Sequence, residues 1–174
     1  VSRNAKAGVW GAEGRARESG ETWSQYLTFV IADEVYGIPI ETVAEIIGLQ
    51  QITTVPDRRP YVKGVINLRG TVIPVIDVRV RLAMDPVRVD ERSCIVVVQL
   101  DQSLVGLLVD RIAEVIDVVS GEIETASRRR VAFIGESMVT GFVQKGGGVR
   151  ILIDLVRLLE DGAVGAEGAA ERGA

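Results

Sequence analysis

The chain has 174 residues, 47% hydrophobic and 25% charged, which is about one domain's length with globular proportions. It has no histidine and one cysteine, Cys94, which excludes histidine-based catalysis, a phosphohistidine relay, an internal disulfide and a cysteine-only metal site. A net charge of −4 with 5% aromatic residues argues against nucleic-acid binding, which uses a basic face and stacking rings.

Residues 1–23 mix Gly, Ala, Arg and Glu without apolar periodicity, and residues 161–174 are nearly all Gly, Ala and Glu. Neither segment can bury enough apolar surface to offset ordering entropy, so both are expected to be flexible tails. No apolar run approaches the ~20 residues of a membrane-spanning helix, so no membrane insertion and a soluble, cytoplasmic location are expected.

Between the tails, strand signals dominate. Tyr26 to Ile31 is β-branched and aromatic, Ala32-Asp33-Glu34 turns, and Val35 to Ile40 returns, which predicts a hairpin. In Val43-Ala44-Glu45-Ile46-Ile47, alternation puts Val43, Glu45 and Ile47 on one face. Asp77 can cap a short helix carrying Val78 and Leu82. A second hairpin follows in Cys94 to Leu100 and Leu104 to Val109, and Asp154 can cap a helix carrying Leu155, Leu158 and Leu159.

These elements repeat. Tyr36–Ile47 superimposes on Val105–Ile116 at an offset of 69, matching Gly37 to Gly106, Ala44 to Ala113 and Glu45 to Glu114. Tyr61–Leu82 superimposes on Met138–Leu159 at an offset of 77, matching Gly64 to Gly141, Gly70 to Gly147 and Asp77 to Asp154. The change of offset places eight extra residues in the second copy, between Ile116 and Met138. The spacing is too long for a solenoid unit, and about five strands per copy suit a small closed barrel. The expected fold is all-β with a few short helices, as two tandem five-stranded barrels packed as one domain over residues 24–160. The first barrel is expected at 24–83, the second at 93–153 and a closing short helix at 154–160.

Duplicated halves share what the fold needs, so their differences point to function. Asn67-Leu68-Arg69-Gly70 stands opposite Gln144-Lys145-Gly146-Gly147. The shared glycine serves the turn, whereas Leu68 and Arg69 read as an exposed pair suited to protein recognition. Glu45 can pair with Arg69 or face a partner. Ser127-Arg128-Arg129-Arg130 reads as a solvated loop, and Gly146-Gly147-Gly148 lacks the Gly-Lys-Ser/Thr ending of a phosphate loop. No general acid–base pair stands out, so no catalytic, cofactor or metal residue is assigned.

Val62-Lys63-Gly64-Val65-Ile66-Asn67-Leu68-Arg69-Gly70, followed by Val72-Ile73-Pro74-Val75-Ile76-Asp77-Val78-Arg79, strongly resembles the CheW-like chemotaxis coupling proteins. Tyr36 to Ile40, Val43 to Ile46, Val105 to Asp110 and Ile151 to Asp154 fit the same pattern, so the resemblance spans about residues 24–160. It implies two SH3-like barrels and a non-catalytic adaptor without cofactors. Such an adaptor bridges the cytoplasmic tips of methyl-accepting chemoreceptors to the regulatory domain of the histidine kinase CheA, as a monomer when free and in ring-shaped assemblies in arrays. By position, the resemblance implies a receptor-contact role for Arg69, with Glu45 as its carboxylate partner. It places Val43, Lys63, Gly64, Leu68, Gly106 and Val115 at positions of receptor or kinase coupling. The family often carries a proline-containing stretch after the positions of Glu122-Ile123, where this chain reads Glu124-Thr125-Ala126-Ser127-Arg128-Arg129-Arg130. A regulatory end of a CheA-type kinase is the alternative, and the low-complexity segment before Ser24 favours the adaptor.

Overall fold

A computed structural model describes residues 20–57, 59–86, 89–125 and 138–160. The expected tails lie almost wholly outside the described residues, as does the Arg128–Arg130 run. The first half supplies β1 (Trp23–Ile31), β2 (Glu34–Pro39), β3 (Val43–Gly48), β4 (Val62–Leu68), β5 (Thr71–Asp77) and helix α1 (Val78–Arg81). The second supplies β6 (Cys94–Leu100), β7 (Ser103–Val109), β8 (Arg111–Val119), β9 (Glu124–Thr125), β10 (Val139–Lys145), β11 (Gly148–Ile153) and helix α2 (Leu155–Leu159). Both helices start where expected. Asp77 accepts from the Val80 N–H at 3.3 Å and Asp154 from the Arg157 N–H at 3.2 Å, each satisfying an otherwise unpaired donor of the first turn.

The two copies match in their hydrogen bonds as well as their residues. The Asp77 N–H donates to the Tyr61 carbonyl at 2.8 Å, and the Asp154 N–H donates to Met138 at 2.9 Å. Thr53 bridges Val65 of β4 just as β9 pairs with Gly141 and Phe142 of β10. Each bridge brings the segment after the third strand back onto the fourth, which curls each sheet into a closed form and leaves little free edge.

Sheet membership corrects the expected boundaries. The strands form two sheets, in the orders β3-β6-β7-β5-β4 and β8-β1-β2-β11-β10-β9. Neither sheet follows the 24–83 and 93–153 division, because each half lends its first hairpin to the other. The joins are parallel and equivalent: Val75 of β5 lies opposite Gly106 of β7, and Leu152 of β11 opposite Gly37 of β2. At both joins the glycine makes room. A Cβ at Gly106 would lie 2.8 Å from Ile95 Cγ2, and one at Gly37 would lie 3.1 Å from Leu152 Cδ2.

The exchange builds one shared core. Phe29 and Ile38 pack with Ile76, Val78, Val96, Val98, Leu107, Ile153 and Leu158, from both halves. Smaller clusters fill the inside of each sheet, Ile66, Ile73, Val75, Ile95 and Val97 in one, Ile116, Val118, Val143 and Leu152 in the other. Strand β6 is apolar on both faces because Ile95 and Val97 point into its own sheet while Val96 and Val98 point into the shared core. Polar ties reinforce the join. Arg81 of α1 donates from Nε to the Leu158 carbonyl of α2 at 2.7 Å, its Nη2 reaches Arg157 and Glu160 carbonyls at 3.1 Å, and its guanidinium lies 4.9 Å from the Tyr61 ring centroid. Among the described residues, no helix is long and apolar enough to cross a membrane.

Candidate functional site

The β4–β5 hairpin turns on Arg69 and Gly70, with φ of 49° and 85°. Two successive positive values belong to the turn whose twist matches that of a two-stranded hairpin. The β10–β11 hairpin does the same on Gly146 and Gly147, with φ of 57° and 76°. The backbone is therefore common to both copies, and the arginine is special to the first.

Arg69 reaches Glu45 with both terminal nitrogens. Nη1 donates to Oε2 at 3.3 Å and Nη2 donates to Oε1. Glu45 stands on β3 and Arg69 follows β4, the two outer strands of the five-stranded sheet, so the pair crosses the seam where that sheet closes. The hydrogen bond to Glu45, and after it the carboxylate's charge, raises the Arg69 pKa above its ordinary value. The arginine side chain is 74% exposed and the glutamate 31%, so the glutamate anchors and the arginine is presented. A bidentate pair fixes a guanidinium plane that would otherwise rotate freely.

The other expected contact residues divide. Lys63 is exposed on β4 and Val115 is half-exposed on β8. Leu68 corrects the expectation of an exposed Leu-Arg pair: it is buried among Ile66, Ile73 and Val75 beneath the turn. Val43 corrects the simple alternation. The register slips between Val43 and Glu45, which pair with Val98 and Val97, so one residue is inserted and Val43 turns to the shared core while Ile47 packs inside the sheet. The same slip recurs in the second copy, where Phe29 faces Ile112 and Leu27 faces Val115. Gly64 and Gly106 are buried where no side chain fits. With φ of 151°, a Cβ on Gly64 would stand 2.2 Å from the Thr53 carbonyl oxygen. Only Arg69 and Glu45 are brought together as a site.

The second copy holds an arginine that sequence reasoning missed. Arg150 of β11 donates from Nη2 to Glu114, the counterpart of Glu45, at 3.2 Å, and its guanidinium covers the Gly146 turn. Its repeat counterpart is the buried Ile73, a difference between the copies that lies in mid-strand, outside the turn residues. The exposures are reversed, 14% for Arg150 and 55% for Glu114. One tip therefore presents a cation and the other a carboxylate.

A polar cleft of about 340 Å³ lies between Ala32, Asp33, Arg79, Asp90, Arg92, Ser93, Asp110 and Arg111. Its charges are largely paired internally: Arg79 donates from Nε to Asp110 Oδ1 at 2.8 Å and Arg92 from Nη2 to Asp90 Oδ2 at 3.2 Å. Asp110 also accepts from the Ala32 N–H at 2.7 Å. Among the described residues no acidic or cysteine cluster is arranged to hold a metal ion.

Comparison with known proteins decides the family. The model of the CheW-like domain matches residues 25–163. The chain belongs to the CheW family. It is 37% identical over 142 residues to the chemotaxis protein CheW of Klebsiella aerogenes, covering 81% of this chain and 85% of that protein. It is 30% identical over 138 residues to the chemotaxis protein CheW of Treponema pallidum, covering 77% and 81%. Among solved structures, the scaffolding protein TtCheW of Thermoanaerobacter tengcongensis is similar with a TM-score of 0.73 and 32% identity, over 80% of this chain and 94% of that one. The matched residues span the Asn67–Gly70 turn and both copies.

Proposed function

We propose that this CheW-like chain is a non-catalytic cytoplasmic adaptor that couples the tips of methyl-accepting chemoreceptors to the histidine kinase CheA. The observation that carries the reading is Arg69, exposed on a hairpin tip yet held in one orientation by Glu45 across the sheet's seam. An arginine fixed before its partner arrives loses little freedom on binding, and arginine is prominent among residues that dominate interface energies. A receptor helix offering a carboxylate or a carbonyl could meet its outward N–H groups without disturbing Glu45.

In this reading Arg69, Glu45 and Lys63 form the receptor-facing side, and Val115 offers apolar contact from the second half. Val43, Leu68, Gly64 and Gly106 act indirectly, by shaping the sheets beneath. The kinase side falls to the second sheet and the remaining surface of the first. The shared core joins the two sides, since each sheet holds a hairpin from the other half.

The test combines purified chain, a soluble chemoreceptor tip fragment and CheA. The chain is expected to co-sediment with both and to raise receptor-dependent kinase autophosphorylation. ATP hydrolysis by the chain alone, or a kinase rate indifferent to its presence, would overturn the reading.

A further inference from the structure

Arg69 occupies a backbone region that L-residues other than Asn and Asp rarely enter, whereas the second copy places Gly146 there. Arg-Gly alone gives weak preference for such a turn, so something must hold it. Asn67 does. Its Oδ1 accepts the Gly70 N–H at 2.8 Å, a donor that the two-residue hairpin turn leaves without a backbone partner. Among the described residues, Gln144 makes no corresponding bond to Gly147, and a turn of two glycines needs none.

We infer that Asn67 is a positioning residue for Arg69: its bond to Gly70 locks the left-handed turn that aims the guanidinium at Glu45. The inference rests on the reading of Arg69 as the receptor contact. Without the bond, Arg69 is free to return to negative φ, which swings its Cβ, and the guanidinium with it, away from Glu45. The turn would persist as a hairpin, but its cation would lose its fixed direction.

The test uses Asn67→Ala, which removes the acceptor, Asn67→Asp, which keeps one, Arg69→Ala, and the Asn67→Ala/Arg69→Ala double variant. Each is measured for melting temperature, for affinity toward a soluble chemoreceptor tip fragment, and, where Arg69 is kept, for the NMR signal of its Nε–H in the free protein. Asn67→Ala is expected to weaken binding by about three- to tenfold, the worth of one neutral hydrogen bond. It should also move the Arg69 signal toward that of a solvated arginine, while Asn67→Asp restores both. In the Arg69→Ala background the same change should cost nothing further. An equal loss in both backgrounds, or an unmoved Arg69 signal, would overturn the inference. Arg69→Ala binding as tightly as the parent would instead overturn the underlying reading, leaving the NMR signal to decide the geometry by itself.

Discussion

Glu45 on β3 and Arg69 at the tip that follows β4 belong to opposite outer edges of the same five-stranded sheet and meet where that sheet closes. As an exposed pair, it is expected to contribute little to stability. Arg69→Ala should therefore leave the melting temperature nearly unchanged while weakening receptor-tip binding more than tenfold, in the range typical of an arginine at an interface centre. Both quantities should be measured on one sample. A variant that melts early and binds in proportion to its folded fraction would make Arg69 structural.

Ile76 and Ile153 occupy equivalent positions of the two copies, and both lie in the shared core. Truncating either to alanine should cost about 2–5 kcal/mol, combining lost burial with a residual cavity. Denaturant titration of the two variants checks this, and unchanged midpoints for both would contradict the repeat alignment.

Gly64 sits where any Cβ collides with the Thr53 carbonyl, and its φ is one that L-residues avoid. Gly64→Ala should destabilise by about 1–3 kcal/mol or more. Its partner binding should fall only with the folded fraction. A stable Gly64→Ala protein that fails to bind would instead give Gly64 a direct role at the surface.

Burial raises the pKa of the Cys94 thiol, and burial followed by nearby glutamates raises those of the Tyr26 and Tyr36 phenols. A raised value means that the folded chain keeps these protons after the unfolded chain has released them. Stability from these groups is thus complete below their ordinary values and declines as pH rises through them. Denaturation midpoints should fall as pH rises past about 8.5 for the thiol and past about 10 for the phenols, their ordinary values. A flat profile there would show that these groups are not shielded.

A chain of residues 24–83 lacks β6 and β7, on which β3 and β5 pair, and its β2 lacks β11. Alone it should fail to fold as a monomer, whereas mixing it with a chain of residues 93–160 should restore the sheet circular-dichroism spectrum. A stable monomeric half would contradict the exchange.

Local patterns made the elements legible: the β-branched runs marked the hairpins, and Asp77 and Asp154 marked the helix starts. Sheet membership was not legible, because the run in β6 announces a strand buried on both faces without naming its neighbours. The burial of Leu68 is legible in the inward alternation of Gly64, Ile66 and Leu68 along β4, against the reading of an exposed Leu-Arg pair. The slip beside Ala44 leaves no such trace, and simple alternation puts Val43 on the face of Glu45. The repeat marks Arg69 as a difference between the copies and Glu45 as a carboxylate shared with Glu114. Arg150 also differs between the copies, standing where the first has Ile73, but its mid-strand position gives no sign of the turn it covers.

The exchange of hairpins also sets the order in which the molecule can be completed. Residues 35–37 of β2 pair with residues 150–152 of β11, so a segment synthesised early waits for one synthesised more than a hundred residues later. Contacts so distant along the chain slow folding, and they leave an apolar hairpin unpaired in the meantime. Phe29, Ile31 and Ile38 are then the side chains most in need of shelter on the nascent chain. The last turn of synthesis, not the first barrel, closes the structure.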